Sequence, residues 1–470
     1  MTALDDRPAT PLNRQEPAPD RRRCWFGQLL LRLHFTAGVF VGPFILIAAL
    51  SGAAYALSPS IESMVYQHEL TASSRATALP LADQIAAAQA YMAVHHPQDT
   101  LSAVRPAPTV GDTTRVMFTE DGLLESQSRA VYIDPGTAEV RGDLLAYGTS
   151  GALPIRTWIS TFHRTLFLGD IGRIYSETAA SWMGVVALAG LVLWIARVRV
   201  ARRKRDLVRP ARRLRGYRRL FSWHASTGVW LLVGAVFLSA TGITWSQFGG
   251  ANVDTLRAAW GWQTPSLTTS LSTSPTPQGE HAGHHGATSP SATAAPTLTP
   301  ELFDEVLAKA KTVNIHAAQV QITPPATAEQ AWTVAEIKRS WPTAVSSVAI
   351  APNDMAVVSR ADFDSFSIPA KLTRWGIDTH MGRMWGLPNQ ILLFVTALGI
   401  AAMVVFGYVM WWQRRPTGGR VGRTPAAGAL ARAPWGGGGS LWSRPRWGWH
   451  CSCPRSVSAS CSSSSPTRSS

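Results

Sequence analysis

Four stretches of the chain run without Asp, Glu, Lys or Arg: Phe35 to Ile61, Thr178 to Ala196, Leu220 to Val253 and Met384 to Gln413. Each can hold the helix of roughly 20 residues that crosses a bilayer. The pattern predicts an α-helical membrane protein with transmembrane helices at 34–58, 178–198, 223–248 and 388–412. Two long polar segments, 59–177 and 249–387, lie between spans and have a mixed pattern. Residues 81 to 95 carry apolar positions at helical spacing, and Arg129 to Val140 reads as a strand entering an Asp134-Pro135-Gly136 turn. The second segment repeats this more weakly, with a helix near 301–312 and strands near 316–322, 331–337 and 345–350. Residues 263–300, rich in Ser, Thr, Pro and Ala, read as a flexible linker. Two separate α+β loops outside the membrane are therefore expected.

The spans repeat. Leu33-His34-Phe35-Thr36-Ala37-Gly38 matches Trp223-His224-Ala225-Ser226-Thr227-Gly228, and each histidine precedes a later glycine, Gly52 or Gly242, by 18 residues. Trp158, His163 and Gly169 recur with the same spacing as Trp375, His380 and Gly386. Duplication is the economical explanation: span, outer loop, span, repeated once.

A formal net charge of +15 could signal a nucleic-acid partner, but only 16% of the 470 residues are charged and the basic ones cluster beside the spans. Arg21, Arg22, Arg23 and Arg32 precede the first span, and twelve Lys or Arg fall within Arg197 to Arg219. Arg414, Arg415 and Arg420 follow the last. Short Arg-rich flanks stay in the cytoplasm, so the N-terminal 1–33, the linker 199–222 and the C-terminal 413–470 are expected there. The expected partner is the lipid bilayer, not nucleic acid. A basic start, an apolar run and Ala54-Tyr55-Ala56 also resemble a cleavable signal, but the run is long and its later counterpart cannot be a signal.

Cys24, Cys451, Cys453 and Cys461 all lie outside the outer loops, which excludes an exported disulfide framework. No Cys-x-x-Cys-His sequence exists for covalent haem attachment. The positioned imidazoles His34, His163, His224 and His380 form two sets, His34 with His224 near the cytoplasmic face and His163 with His380 near the outer face. Paired neutral imidazoles from different helices saturate a haem iron, and Gly38 and Gly228, one turn beyond their histidines, remove bulk where a flat macrocycle approaches. Zinc or copper could use the same ligands, although no carboxylate or thiolate recurs with them, and the histidines could instead be interfacial anchors with glycines that merely pack helices; the fourfold arrangement favours haem b. His163 precedes its span by 15 residues, so it belongs to an interfacial, re-entrant or long tilted helix. His281, His284 and His285 form a separate cluster that could bind metal loosely.

The stretch from Ile368 through Trp375, His380 and Arg383 to Gln390, and the ending Trp411-Trp412-Gln413-Arg414-Arg415-Pro416, resemble the PepSY-associated transmembrane family of iron-regulated bacterial inner-membrane proteins. Val131 to Val140 is similar to the PepSY strand-turn-strand, with Ala138 where that pattern usually has glycine. The resemblance runs from about 25 to 416. It implies a multi-pass protein of the bacterial inner membrane with periplasmic PepSY-like domains and two b haems on His34, His224, His163 and His380. It further implies a haem-dependent ferric (siderophore) reductase activity, fed by an unidentified electron donor, since no flavin or nicotinamide fingerprint is present. Arg164, Arg374 and Arg383 are the candidates to neutralise haem propionates. The alternative is a membrane-anchored PepSY binding or regulatory protein without redox activity.

After Gly418 the composition turns to Gly, Ser, Arg and Trp. Written in GC-rich codons and read one base earlier, the segment from Cys461 becomes Leu-Leu-Val-Val-Val-Ala. The expectation is a frameshift that replaced a final apolar helix, against an ordinary disordered tail.

Overall fold

A computed structural model describes residues 25–124, 126–201, 208–271 and 299–414. The cysteines, the His281, His284 and His285 cluster and the C-terminal segment in which a frameshift is expected lie outside the described residues.

The membrane part begins with α1 (Trp25–Phe40) and α2 (Gly42–Val65), which together cover the first expected span. The break between them has a local cause. Pro43 has no N–H to give Val39 O, and the Tyr408 hydroxyl donates to that carbonyl at 2.5 Å. The short α3 (Gln67–Leu70) follows. The other long helices are α6 (Gly169–Val200), α7 (Gly216–Ile243) and α11 (Leu387–Arg414). Four helices, α2, α6, α7 and α11, are long and apolar enough to cross a membrane. Val41, Ile45, Ala179, Ala235 and Ile400 pack at the centre of the bundle.

Outside the bundle, the first segment supplies α4 (Leu81–His95), β1 (Thr100–Arg105), β2 (Thr114–Thr119), β3 (Gln127–Ile133), β4 (Val140–Tyr147) and α5 (Pro154–Thr165). The second supplies α8 (Phe248–Ala259), α9 (Glu301–Val313), β5 (Val320–Thr323), β6 (Trp332–Glu336), β7 (Ser347–Ile350), β8 (Val357–Ala361) and α10 (Ile368–His380). Two separate domains were the expectation, and the structure corrects it: one eight-stranded sheet runs β4-β3-β2-β1-β5-β6-β7-β8. The seam is β1 against β5, antiparallel, with Val104 opposite Ile322. Joining there removes two open edges, which unpaired backbone would otherwise expose. Residues at the start of the expected linker also join this body, since Ala331 N–H donates to Thr269 O and Leu271 N–H to Glu329 O, both at 2.8 Å.

Alternation along the strands sorts the two faces. Val104, Val116, Phe118, Val131 and Ile133 face a core closed by Leu81, Ile85 and Met92 of α4 and Phe303 and Val306 of α9. Ala103, Met117, Ala130, Tyr132 and Leu153 form the opposite face. Asp304 in the first turn of α9 accepts the N–H groups of Leu81 and Ala82, each at 3.0 Å. That carboxylate satisfies two of the free donors at the start of α4, so the second segment caps a helix of the first.

Candidate functional site

Glycines, hydroxyls and a carbonyl set three of the four imidazoles. His34 sits on α1 against α6, where a side chain at Gly190 would meet its Cε1 at 3.0 Å. That close approach lets Nδ1 reach Val186 O at 2.9 Å. His224 on α7 faces it, with ring centroids 6.2 Å apart and planes at 80°. Nδ1 of His224 is buried without a hydrogen-bond partner.

The position of His163 excludes one of the three alternatives, the long tilted span. It belongs to neither neighbouring span but to the separate helix α5, which ends where Leu166 and Phe167 turn left-handed at φ 50 and 59°. From there it reaches α2, with Cε1 at 3.3 Å from the position of a Gly52 side chain and Nδ1 at 2.8 Å from Ser51 Oγ. Tyr55 stacks beside it at 6.4 Å. His380 ends α10 in the corresponding way, its Nδ1 2.6 Å from Thr241 Oγ1 of α7 and its ring 6.3 Å from Trp245. Among the described residues the inner rings contact each other, whereas each outer ring packs on its own helix wall.

A carbonyl only accepts, so His34 Nδ1 carries the hydrogen that goes to Val186 O. Ser51 Oγ lies 2.8 Å from both Ile47 O and His163 Nδ1, and Thr241 Oγ1 lies 2.7 Å from Phe237 O and 2.6 Å from His380 Nδ1. With the hydroxyl hydrogens on the helix carbonyls, both hydroxyls accept from Nδ1, and Nε2, a nitrogen that can bind a metal, is left bare as in His34.

His34 and Gly52, on which His163 packs, are 18 residues apart, about 27 Å at 1.5 Å per residue, so His34 and His163 lie toward opposite ends of the bundle. Beside the inner pair, a side chain at Gly38 would meet nothing within 4 Å, while one at Gly228 would meet the mobile end of Met403 at 2.9 Å.

The three arginines differ. Arg374 gives Nε and Nη2 to Asp378, both at 2.8 Å, and is already paired. Arg164 lies over the Tyr147 ring at 5.4 Å. Arg383 donates to Ser150 O at 3.4 Å. Sequence reasoning missed Ser51, Thr241 and Gly190; only the first two carried a signal, as the residues directly before Gly52 and Gly242. It also missed a surface group, His96, Asp99 and Glu120, whose ligand atoms lie within 4.8 Å of one another. Glu120 is already engaged there by Arg129 at 2.7 Å.

The family profile for the PepSY-associated TM region matches residues 31–414. No curated protein matches the chain.

Proposed function

The chain belongs to the PepSY-associated TM family, and on that premise we propose that it carries electrons across the bacterial inner membrane on two b haems. In this reading His34 and His224 hold the inner haem and His163 and His380 the outer one, in two duplicated halves. The electrons go to an external ferric acceptor, with a ferric siderophore as the leading class. Bound haem supplies a one-electron couple, and two histidine ligands favour electron transfer over oxygen binding.

The observation that carries the reading is the oxygen set against Nδ1 of His34, His163 and His380 alike, a carbonyl or hydroxyl that can accept its hydrogen and leave Nε2 bare. Orienting acceptors of this kind raise the basicity of a ligating imidazole and hold its ring in place. Two supports stand beside it. Metal–nitrogen bonds of about 2 Å, with about 1 Å more to each ring centre, put ligating centroids about 6 Å apart, and His34 and His224 are separated by 6.2 Å. The open space at Gly38 suits a flat macrocycle. Delivery of an electron to chelated ferric iron loosens it, because hard oxygen ligands hold ferrous iron less tightly.

Haem quantification on the purified full chain tests this. Two haems per chain are expected, one lost in His34→Ala or His224→Ala and the other in His163→Ala or His380→Ala. A colourless, fully inserted protein would sink the reading and leave a membrane-anchored binding protein.

A further inference from the structure

The sheet face turned away from α4 and α9 carries more positive charge than its neighbours neutralise. Arg105 of β1 and Arg115 of β2 share that face with Ala103 and Met117. Arg156 of α5, Arg339 beyond β6 and Arg383 beyond α10 converge with Arg105 on the turn that follows β4. Arg105 Nη2 donates to Thr149 O at 3.3 Å, Arg156 and Arg383 donate to Ser150 O at 3.4 Å, and Arg339 donates to Thr149 Oγ1 at 2.6 Å. Arg105 Nη1 and Arg115 Nη1 flank the point where a side chain on Gly151 would begin. With Arg374, six guanidinium groups gather here.

Two carboxylates face them. Glu62 lies 3.0 Å from Arg156 Nε and also accepts Leu153 N–H. Asp378 takes both nitrogens of Arg374 and lies 3.8 Å from Arg339. Glu69 acts on Tyr132 of the same face, so among the described residues six cations outnumber the three carboxylates two to one. The remaining partners, such as Gln321 Oε1 on Arg105 Nε at 2.9 Å, are neutral.

The crowding registers on the groups themselves. Desolvation, then Arg115 and Arg383, lower Arg105 to about 9. Desolvation, then Arg156, lower Arg383 to about 10, and Arg339 is depressed by burial, Arg374 and Arg383. A guanidinium keeps its proton at neutral pH, so the excess persists as positive potential. Arg105 and Arg156 are buried and Arg339 and Arg383 nearly so, while Arg115 and Arg374 are half-buried at the edge of the cluster.

We propose that this arginine cluster, between the sheet and the helix bundle, is a binding site for a ligand bearing several carboxylates. Guanidinium forks match carboxylates bidentately. Arg105, Arg115 and Arg156 come from the first outer segment and Arg339, Arg374 and Arg383 from the second, so a bound polyanion ties the two together. Two sources present this chemistry. One is the propionates of a macrocycle held by His163 and His380: Gly382, next to Arg383, packs against Ala56 O, four residues and about 6 Å along α2 from Gly52. The other is an anionic molecule arriving from outside. Only the first source rests on the proposed function.

The test uses the full chain in lipid nanodiscs, with citrate as the external probe and haem against haem dimethyl ester as the internal one. Wild type is expected to bind citrate, more weakly as salt rises, with at least tenfold loss in Arg339→Gln and in Arg105→Gln. Arg105→Lys, which keeps the charge, controls for misfolding. Citrate binding that survives haem loading assigns the site to an external ligand. Citrate excluded by haem, with the dimethyl ester bound more weakly and that difference erased in Arg383→Gln, assigns it to the propionates. Citrate binding without any haem uptake sinks the haem reading and leaves this site standing. No citrate binding together with equal uptake of haem and its ester overturns the proposal, as does binding unchanged in both glutamine variants.

Discussion

A serine hydroxyl has one hydrogen to give, and Ser51 Oγ lies 2.8 Å from Ile47 O, so it can accept from the imidazole of His163 while its own hydrogen serves the helix. Removing that acceptor frees the ring to swap tautomers and rotate. Ser51→Ala and Thr241→Val are each expected to weaken haem binding at the outer site by about 10–100-fold, while Ser51→Thr retains it. Titration with haem followed by absorbance measures this, and unchanged affinity in both would remove the orienting role. The histidines were legible because their spacing repeats, but their acceptors were not. Which hydroxyl or carbonyl meets a ring depends on helix packing, as with Val186 O, which lies 152 residues from His34. Ala138 is a second case where a single residue speaks. It stands where the family pattern has glycine and adopts φ 58° in the turn after Asp134. An L-residue there costs about 1–2 kcal/mol, partly offset by the greater chain entropy of glycine. Ala138→Gly is expected to stabilise by about 0.5–1 kcal/mol, read as a rise in thermal midpoint in detergent; a fall would refute the assigned strain.

The helices at 81–95 and 301–312 and the strands around 129–140 matched their expected positions closely, because one clean apolar face sets their period. Strands β1 and β2 escaped notice for a physical reason. Their bundle-side positions hold Arg105 and Arg115, so the polar face does not look like the inside of a protein. The break of the first span at Val41 was hidden too, since Pro43 sits in an otherwise uninterrupted apolar run and the compensating Tyr408 lies on α11. The β3–β4 turn is pinned by Asp134. Burial opposes its ionisation, but Ser74 N–H, the Ser73 hydroxyl and Gly136 N–H outweigh that and hold its pKa below the usual carboxylate range. A depressed folded-state pKa gives stability that is fully present above the unfolded value of about 3.9 and lost as pH falls through the folded one. Asp134→Asn is therefore expected to destabilise by a constant amount at pH 5–8, the gap to wild type closing only on acidification below about pH 4. Thermal unfolding across that range checks it, and a gap that closes already at pH 6 would count against the assignment.

At the scale of the whole molecule, the arginine-flanked ends of α6, α7 and α11 lie at the end of the bundle opposite the sheet. Arg197 over Phe221 at 4.6 Å and Arg414 over Tyr217 at 4.0 Å join α6, α7 and α11 at one end, and all eight strands gather at the other. Reading duplication from spacing anticipated the helices but not the single sheet, because the β1–β5 pairing spans more than 200 residues and leaves no local trace. Arginine-rich flanks tend to stay in the cytoplasm, and the expectation from that tendency is a sheet on the outer side. An exposed turn between β2 and β3 offers a reporter. In spheroplasts with the natural cysteines replaced, Asp121→Cys is expected to react with a membrane-impermeant maleimide without permeabilisation, and Arg219→Cys only after it. The reverse order would put the arginine cluster and the outer histidines on the cytoplasmic side. An external acceptor could then meet only the His34 and His224 end, and the direction of electron flow would have to be reversed.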